Sequence, residues 1–300
     1  ARYKIHLIMV VYLLAQLIFT LPGHKAGAVF VVPSLIAMVV LALLHELAHA
    51  QVARRNGGQS DQRMLWPLGG LEPAQFDDPD PKAELRTALA GPAINLALIP
   101  VFMIPLVLLT GSWDAVLFNP FNPSASIHTL VLSSNQTTPW WLVSIWGFHV
   151  VNLIILGANL IPMLPFDAGT VLRIHLSKKR GDLAARHLTA FSGLWVATVV
   201  GLVGIIFADA KMLLGIAIIS GIICTIERRR LQFLDYAQMV PGYQDPKPST
   251  TREPKQDAEQ PDQADLDRIL EKISTAGIDS LTRRERRTLK KATESSRNLE

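Results

Sequence analysis

Six apolar stretches, most of them near the length that crosses a bilayer, alternate with polar connections, and this alternation leaves the chain few folds to adopt. They cover residues 5–21, 28–53, 85–110, 140–160, 188–208 and 212–226. A membrane helix needs about 20 apolar residues. Inside hydrocarbon every backbone N–H and C=O must be satisfied within the protein, which favours helices. The expected fold class is therefore an all-α membrane protein with about six transmembrane helices. Composition agrees: 49% of the 300 residues are hydrophobic and 18% charged, against about a quarter charged in soluble chains. The single cysteine, Cys224, excludes an intrachain disulfide and a thiolate zinc cluster. Arg2 and Lys4 before the first stretch and Ala26-Gly27-Ala28 after it outline a cleaved leader. The apolar core is long for a leader, so the stretch is read as a span.

The charged connections orient the bundle. Arg2 and Lys4 precede span one; Arg54, Arg55, Arg63, Lys82 and Arg86 lie between spans two and three. Arg173, Lys178, Lys179, Arg180 and Arg186 lie between four and five, and Arg228, Arg229 and Arg230 follow six. The loop 111–139 on the other side has no Lys or Arg; only Lys25 and Lys211 fall on that side elsewhere. The positive-inside rule then predicts a multi-pass protein of the cell membrane with both termini cytoplasmic. The net charge of +4 is modest. The lipid bilayer is the expected partner and no nucleic acid is.

Composition changes near residue 235. The expected domains are a membrane domain over 1–234, a disordered Pro- and Gln-rich linker over 235–262 and a cytoplasmic helical hairpin over 263–300. In the hairpin, Leu266, Ile269, Leu270 and Ile273 recur at helical spacing, Gly277 ends the first helix, and a second helix starts at Leu281-Thr282 and carries Leu289. A solvated appendage and a docking element for a protein partner both fit this pattern.

The chemistry concentrates in span two, where His45-Glu46-Leu47-Ala48-His49 places two imidazoles four residues apart, on one helical face. Glu46 between them can act as general base on water at a metal. Packing against other helices is the plainer reading. However, three ionisable groups within five positions of an apolar span are costly, and such groups point to function. Catalytic zinc (Zn2+) needs a third protein ligand and an open position. Asp167 fits, because span four runs toward the cytoplasmic side, where span two also ends, and Pro162 and Pro165 interrupt the helix before it. An ordinary turn aspartate is the competing reading. His149 lies too far back along span four, and His6, His24, His128, His175 and His187 are read as solvent-facing residues in or near loops. Residues 64–74 carry Leu65, Trp66, Leu68 and Leu71 around Pro67 and Gly69-Gly70. They are too short to span and too apolar for a free loop, and suggest a membrane-dipping hairpin whose open edge, at Gly69 and Gly70, could bind an unwound substrate strand.

With these residues in view the chain resembles the site-2 proteases, intramembrane zinc metalloproteases. His45 to His49 matches the zinc-binding motif, residues 159–169 look like the Asn-x-x-Pro…Asp-Gly motif, and Gly91-Pro92-Ala93-Ile94-Asn95 is similar to the Gly-Pro-x-x-Asn segment between them. Pro67-Leu68-Gly69-Gly70-Leu71 resembles the family's dipping hairpin. The resemblance covers about residues 7–234. It implies zinc held by His45, His49 and Asp167, Glu46 activating water, Asn159 and Asn95 shaping the site or holding substrate, and transmembrane proteins as substrates. Ala168 and Thr170 stand where the family usually has Gly and often has Arg. A methyl group at 168 would be awkward if that backbone needed positive φ. The tail is similar to a segment at the C-terminus of some rhomboid-type membrane proteins, but Ser192-Gly193 lacks a serine-protease partner and is read as small-residue helix packing.

Two other functions fit parts of the pattern. A membrane zinc protease of the prenyl-protein type would share the first motif but take its third ligand from a downstream Glu or His on a helix. A catalytically silent metal-binding membrane scaffold would have no need of Glu46.

Overall fold

Helices account for most of the described chain. The computed structural model describes residues 2–20, 25–59, 62–70, 75–76, 80–121, 123–133, 139–207 and 210–239, and in the tail 268, 271–273, 282 and 285. The helices are α1 (Leu7–Thr20), α2 (Lys25–Arg55), α3 (Pro81–Thr110), α4 (Pro123–Ser133), α5 (Trp140–Asn159), α6 (Asp167–Arg180), α7 (Asp182–Ile206) and α8 (Lys211–Met239). The ends of α3 follow from sequence. Asp80 Oδ1 accepts from the Lys82 N–H at 3.0 Å, Pro81 opens the helix, and Gly111 closes it at φ 67, a left-handed cap that glycine adopts without a Cβ penalty.

Among the described residues, four helical segments are long and apolar enough to cross a membrane: Ala28–Arg55, Pro81–Thr110, Trp140–Asn159 and Asp182–Ile206. Helix α1 is a shorter apolar helix, about 21 Å long at the usual rise per residue, against a hydrocarbon core of about 30 Å. Helix α8 is long, but from Glu227 onward it is charged. The outward faces are apolar: Leu96, Val101, Ile104 and Leu108 on α3 and Trp195, Val199, Leu202 and Ile206 on α7 are exposed. Such continuous apolar surface suits lipid rather than water, and the chain is a membrane protein.

Two small sheets accompany the helices. Strand β1 (Arg2–Ile5) runs parallel to β3 (Gln62–Trp66), and β4 (Gly69–Gly70) pairs antiparallel with β3, giving the order β1-β3-β4. Residues β2 (Gly58–Gln59) and β5 (Gln75–Phe76) form a second pairing. The β3–β4 pairing falls within the hairpin expected at residues 64–74, while the pairings of β1 with β3 and of β2 with β5 lie outside that expectation. Arg2 to Ile5 reads in sequence as the approach to the first span, because four residues are too few to display a two-residue period.

The core follows from small residues and large ones placed opposite them. Trp66, Ala158, Met163, Phe166, Ala197 and Ile216 form one buried cluster, with the Trp66 and Phe166 rings 5.8 Å apart. Leu106, Ala115, Leu130, Leu142, Trp146 and Val150 form another, in which α4 and a 3-10 turn (Trp113–Val116) pack on α3 and α5. Helix α7 meets α8 through glycines: a Cβ at Gly204 would fall 2.6 Å from the Leu214 nitrogen, and one at Gly193 2.7 Å from Cys224 Sγ. This is the close backbone approach that small residues permit in membranes and the packing expected for Ser192-Gly193.

The chain divides into two compact units, Ala1–Met239 and Val240–Glu300. In the second, Lys272 Nζ lies 3.0 and 3.1 Å from the Glu285 oxygens, and Glu285 Oε2 accepts from the Thr282 N–H at 2.8 Å. Thr282 Oγ1 in turn accepts from the Glu285 N–H at 3.4 Å, a reciprocal arrangement that marks a helix start. The linker, Gly277 and the rest of the expected hairpin lie outside the described residues.

Candidate metal centre

Helix α2 places His45 and His49 one turn apart with their rings edge to face, centroids 4.7 Å apart. Their Nε2 atoms stand 3.0 Å from each other. The chain returns to this point through α5, which ends at Asn159. A non-helical turn over residues 160–166, containing Pro162 and Pro165, redirects it, and α6 begins at Asp167. Asp167 Oδ2 lies 3.1 Å from His45 Nε2 and Oδ1 lies 3.3 Å from His49 Nε2. All three groups offer ligand atoms within 4.8 Å of one another. His45, Glu46 and His49 are buried.

The donor set fits a metal ion. The His49 Nδ1 lies 2.6 Å from the Thr87 backbone carbonyl. A carbonyl can only accept, so Nδ1 carries the proton and neutral His49 presents a lone pair at Nε2. That side of the ring faces His45 Nε2 and the Asp167 carboxylate, whose neighbours at this distance are the two imidazoles. Two imidazole nitrogens and a carboxylate converging in this way are the donor set of a zinc site, to which a divalent cation would be well matched. Gly91 on α3 leaves room for it: a Cβ there would land on the Nε2 atoms of both histidines.

The structure brings His45, His49 and Asp167 together with Glu46 buried beside them. Asn95 contacts this group, and Asn159 lies at the end of α5. Asn95 Oδ1 lies 2.7 Å from His45 Nδ1. Asn159 Nδ2 donates to the Leu68 carbonyl at 2.8 Å and to the Ile155 carbonyl at 2.9 Å, tying the turn between β3 and β4 to the end of α5. Gly69 and Gly70 form β4, whose far edge meets no described strand. Ala168 lies inside α6, where backbone φ is negative, so the methyl group meets no conformational conflict. Among the other histidines, His6 Nδ1 accepts from the Ile8 N–H at 3.1 Å at the start of α1. His128, His175 and His187 lie within helices rather than loops, and His187 Nε2 stands 3.0 Å from Asp235 Oδ2. His149 is buried, with Nε2 3.0 Å from the Val116 carbonyl, apart from the metal-ligating group; His24 lies outside the described residues.

Three contributors escape the sequence reading: the Thr87 carbonyl, the space at Gly91 and the Asn152 amide, which exchanges two hydrogen bonds with Asn95. Thr87, Gly91 and Asn95 follow one another at four-residue intervals. They therefore line one face of α3, and that spacing is the signal that could have found Thr87 and Gly91; Asn152 lies on α5 and carries no such signal.

Comparison with known proteins agrees with this geometry. Residues 33–202 match Peptidase family M50, and residues 257–295 match a family of unknown function, DUF6576. Rip3 of Mycobacterium tuberculosis is 35% identical over 168 residues, which are 54% of this chain and 37% of Rip3. The zinc metalloprotease MJ0392 of Methanocaldococcus jannaschii is 30% identical over 179 residues, 60% of this chain and 44% of that protein. This chain thus spans less than half the length of both relatives. The solved site-2 protease from Methanocaldococcus jannaschii shares the fold, with a TM-score of 0.53 at 24% identity over 76% of this chain and 90% of the other. The match to the family extends from within α2, before its histidine pair, through Asp167 and into α7, and this chain belongs to peptidase family M50.

Proposed function

We propose that the chain is a zinc metalloendopeptidase that hydrolyses peptide bonds of membrane-protein substrates at or within the bilayer, near its cytoplasmic side. One observation carries the reading: His45, His49 and the Asp167 carboxylate converge on a single point beside buried Glu46. In this reading His45, His49 and Asp167 hold the ion. Zinc bound there supplies Lewis acidity toward a peptide carbonyl and toward water. Glu46 takes a proton from the attacking water and delivers it to the departing amine. Asn95 orients His45. Gly69 and Gly70 present the free edge of β4 to an unwound substrate segment, and Asn159 holds that edge in place through Leu68.

The wider arrangement belongs to the same proposal. Six crossings with both termini cytoplasmic, α1 and α8 supplying the short ones, agree with the distribution of Lys and Arg. The substrate is a transmembrane protein, because a bilayer helix hides its carbonyls until it unwinds. A membrane domain over 1–234, a linker over 235–262 and a cytoplasmic hairpin over 263–300 complete the layout, with the hairpin as the segment free to meet a protein partner.

The test separates ligand from base. Asp167→Ala should lose zinc and proteolysis together. Glu46→Gln should keep stoichiometric zinc and lose peptide cleavage by about a hundredfold or more. An affinity-tagged Glu46→Gln protein should also co-purify membrane proteins that the wild type cleaves. Stoichiometric zinc and normal cleavage in Asp167→Ala would overturn the assignment.

A further inference from the structure

His45 and His49 fix their ring protons by different routes. The Nδ1 of His49 meets the backbone carbonyl of Thr87 at 2.6 Å, an acceptor that cannot reverse its role. The Nδ1 of His45 meets the Asn95 side chain at 2.7 Å, and an amide side chain can present either its oxygen or its NH2 group. An Asn95 amide turned the other way would donate to Nδ1, place the ring proton on Nε2 and remove the lone pair that the ion needs.

Asn152 decides the matter. Its Nδ2 lies 2.8 Å from the backbone carbonyl of Asn95, which can only accept. The NH2 end of Asn152 is therefore committed to that carbonyl, and its Oδ1 faces the Asn95 side chain. Because Oδ1 can only accept, Asn95 must turn Nδ2 toward it, and the two stand 2.8 Å apart. Asn95 Oδ1 is left facing His45, whose Nδ1 must donate. Asn152 is 0% exposed, and Asn95 and His45 are 1% exposed each, so bulk water does not compete for any of these groups. Two amides thus extend the fixed polarity of one backbone carbonyl to the imidazole.

We infer that Asn152 is a positioning residue of the metal centre, which through Asn95 holds the ring proton of His45 on Nδ1 and its lone pair on Nε2. The inference rests on the zinc reading for its purpose, but the tautomer it assigns belongs to the protein itself. Outer partners of metal-binding histidines typically change metal affinity by about 10- to 100-fold when removed.

The experiment reads the ring nitrogens directly. Full-length protein labelled with 15N-histidine is examined metal-free in detergent at mildly alkaline pH, and zinc affinity is measured on the same samples by competition with a chelator. In wild type, His45 should show the Nδ1–H pattern. Asn152→Leu should shift His45 toward the Nε2–H pattern, leave His49 unchanged and weaken zinc binding by about 10- to 100-fold. In the Asn95→Asp background the carboxylate accepts whichever way it lies, so adding Asn152→Leu should cost less than about threefold further. Equal losses in both backgrounds, or an unmoved His45 pattern, would overturn the inference and leave Asn152 as helix packing alone. If Asn152→Leu does not fold, Asn152→Asp carries the test. Its carboxylate still accepts from Asn95 Nδ2, so the Nδ1–H pattern should persist, and its loss would overturn the inference. Wild-type protein that binds no stoichiometric zinc but shows the Nδ1–H pattern would defeat the zinc reading and leave the tautomer assignment standing.

Discussion

Asn159 Nδ2 donates to the carbonyl of Leu68 at 2.8 Å, across 91 positions of sequence. The bond pins the turn between β3 and β4 to the end of α5, eight residues before Asp167. Strand β4 and the turn that leads to Asp167 are thereby held to one another.

Asn159→Ala should release β4 without disturbing the ligands. A buried hydrogen bond of this kind contributes about 1 kcal/mol, and losing alignment of a peptide adds to that. Cleavage, measured as kcat/KM on a transmembrane substrate, should fall at least about tenfold while zinc stoichiometry stays at the wild-type level. Gly69→Pro, which removes a backbone donor from β4, should do the same. Loss of metal in Asn159→Ala would assign Asn159 to the centre itself.

Gly91→Ala should be more damaging than its size suggests. The added methyl group would land on the Nε2 atoms of His45 and His49, and the nearby backbone of α3 cannot retreat without breaking the Thr87 and Asn95 contacts. The expected outcome is loss of zinc binding, read by metal analysis, with the helical far-UV signal preserved. Gly157→Ala serves as the control, because a Cβ there meets nothing within 4 Å.

Arg173 joins three helices outside the centre. Its guanidinium lies 2.7 Å from Glu84 on α3 and 2.9 Å from Asp182 on α7. Arg173→Gln should lower thermal stability by about 1–3 kcal/mol, the usual range for partly buried charged hydrogen bonds. Arg173→Lys should recover only part of it, since a single ammonium cannot span both carboxylates in the same fork. Unfolding monitored in detergent checks both variants, and equal stability of Arg173→Lys and wild type would refute the fork argument.

The tail carries its own pH dependence. The Thr282 N–H, Lys272 and the Thr282 hydroxyl hold the Glu285 carboxyl down at about 2, from an ordinary value of 4.5. A depressed carboxylate stabilises the folded form above its unfolded value and loses that effect as pH falls through the folded one. The helicity of a peptide covering residues 263–300 should therefore drop between about pH 4.5 and 2. Glu285→Gln should flatten this transition, as followed by circular dichroism.

The residues of the candidate centre were legible in sequence because their signals are local and chemical. His45, Glu46 and His49 share one helical turn, and Asp167 announces itself as a charge beside two prolines at the end of an apolar run. The four long spans were legible for the same reason: length and hydropathy are properties of the segment alone. What the sequence concealed depends on distant pairing. The parallel register of Arg2 to Ile5 on Gln62 to Leu65 has no marker in either segment. Helix α4 lies in a stretch without charge, so no amphipathic pattern outlines it. Asn152 looks like any polar residue on a span until Asn95 is seen opposite. The early start of α7 at Asp182 was hidden because its first turn is polar, and a hydropathy reading begins where the apolar residues do.

Asp167 is the first residue of α6, while both histidines lie near the end of α2. An ion held among them would act as a rivet, joining the start of α6 to the end of α2 where their side chains already meet. Occupancy would then govern how freely the turn over residues 160–166 can swing away from α2. On the proposed reading, the same atom that would polarise a substrate would decide whether that turn keeps its place.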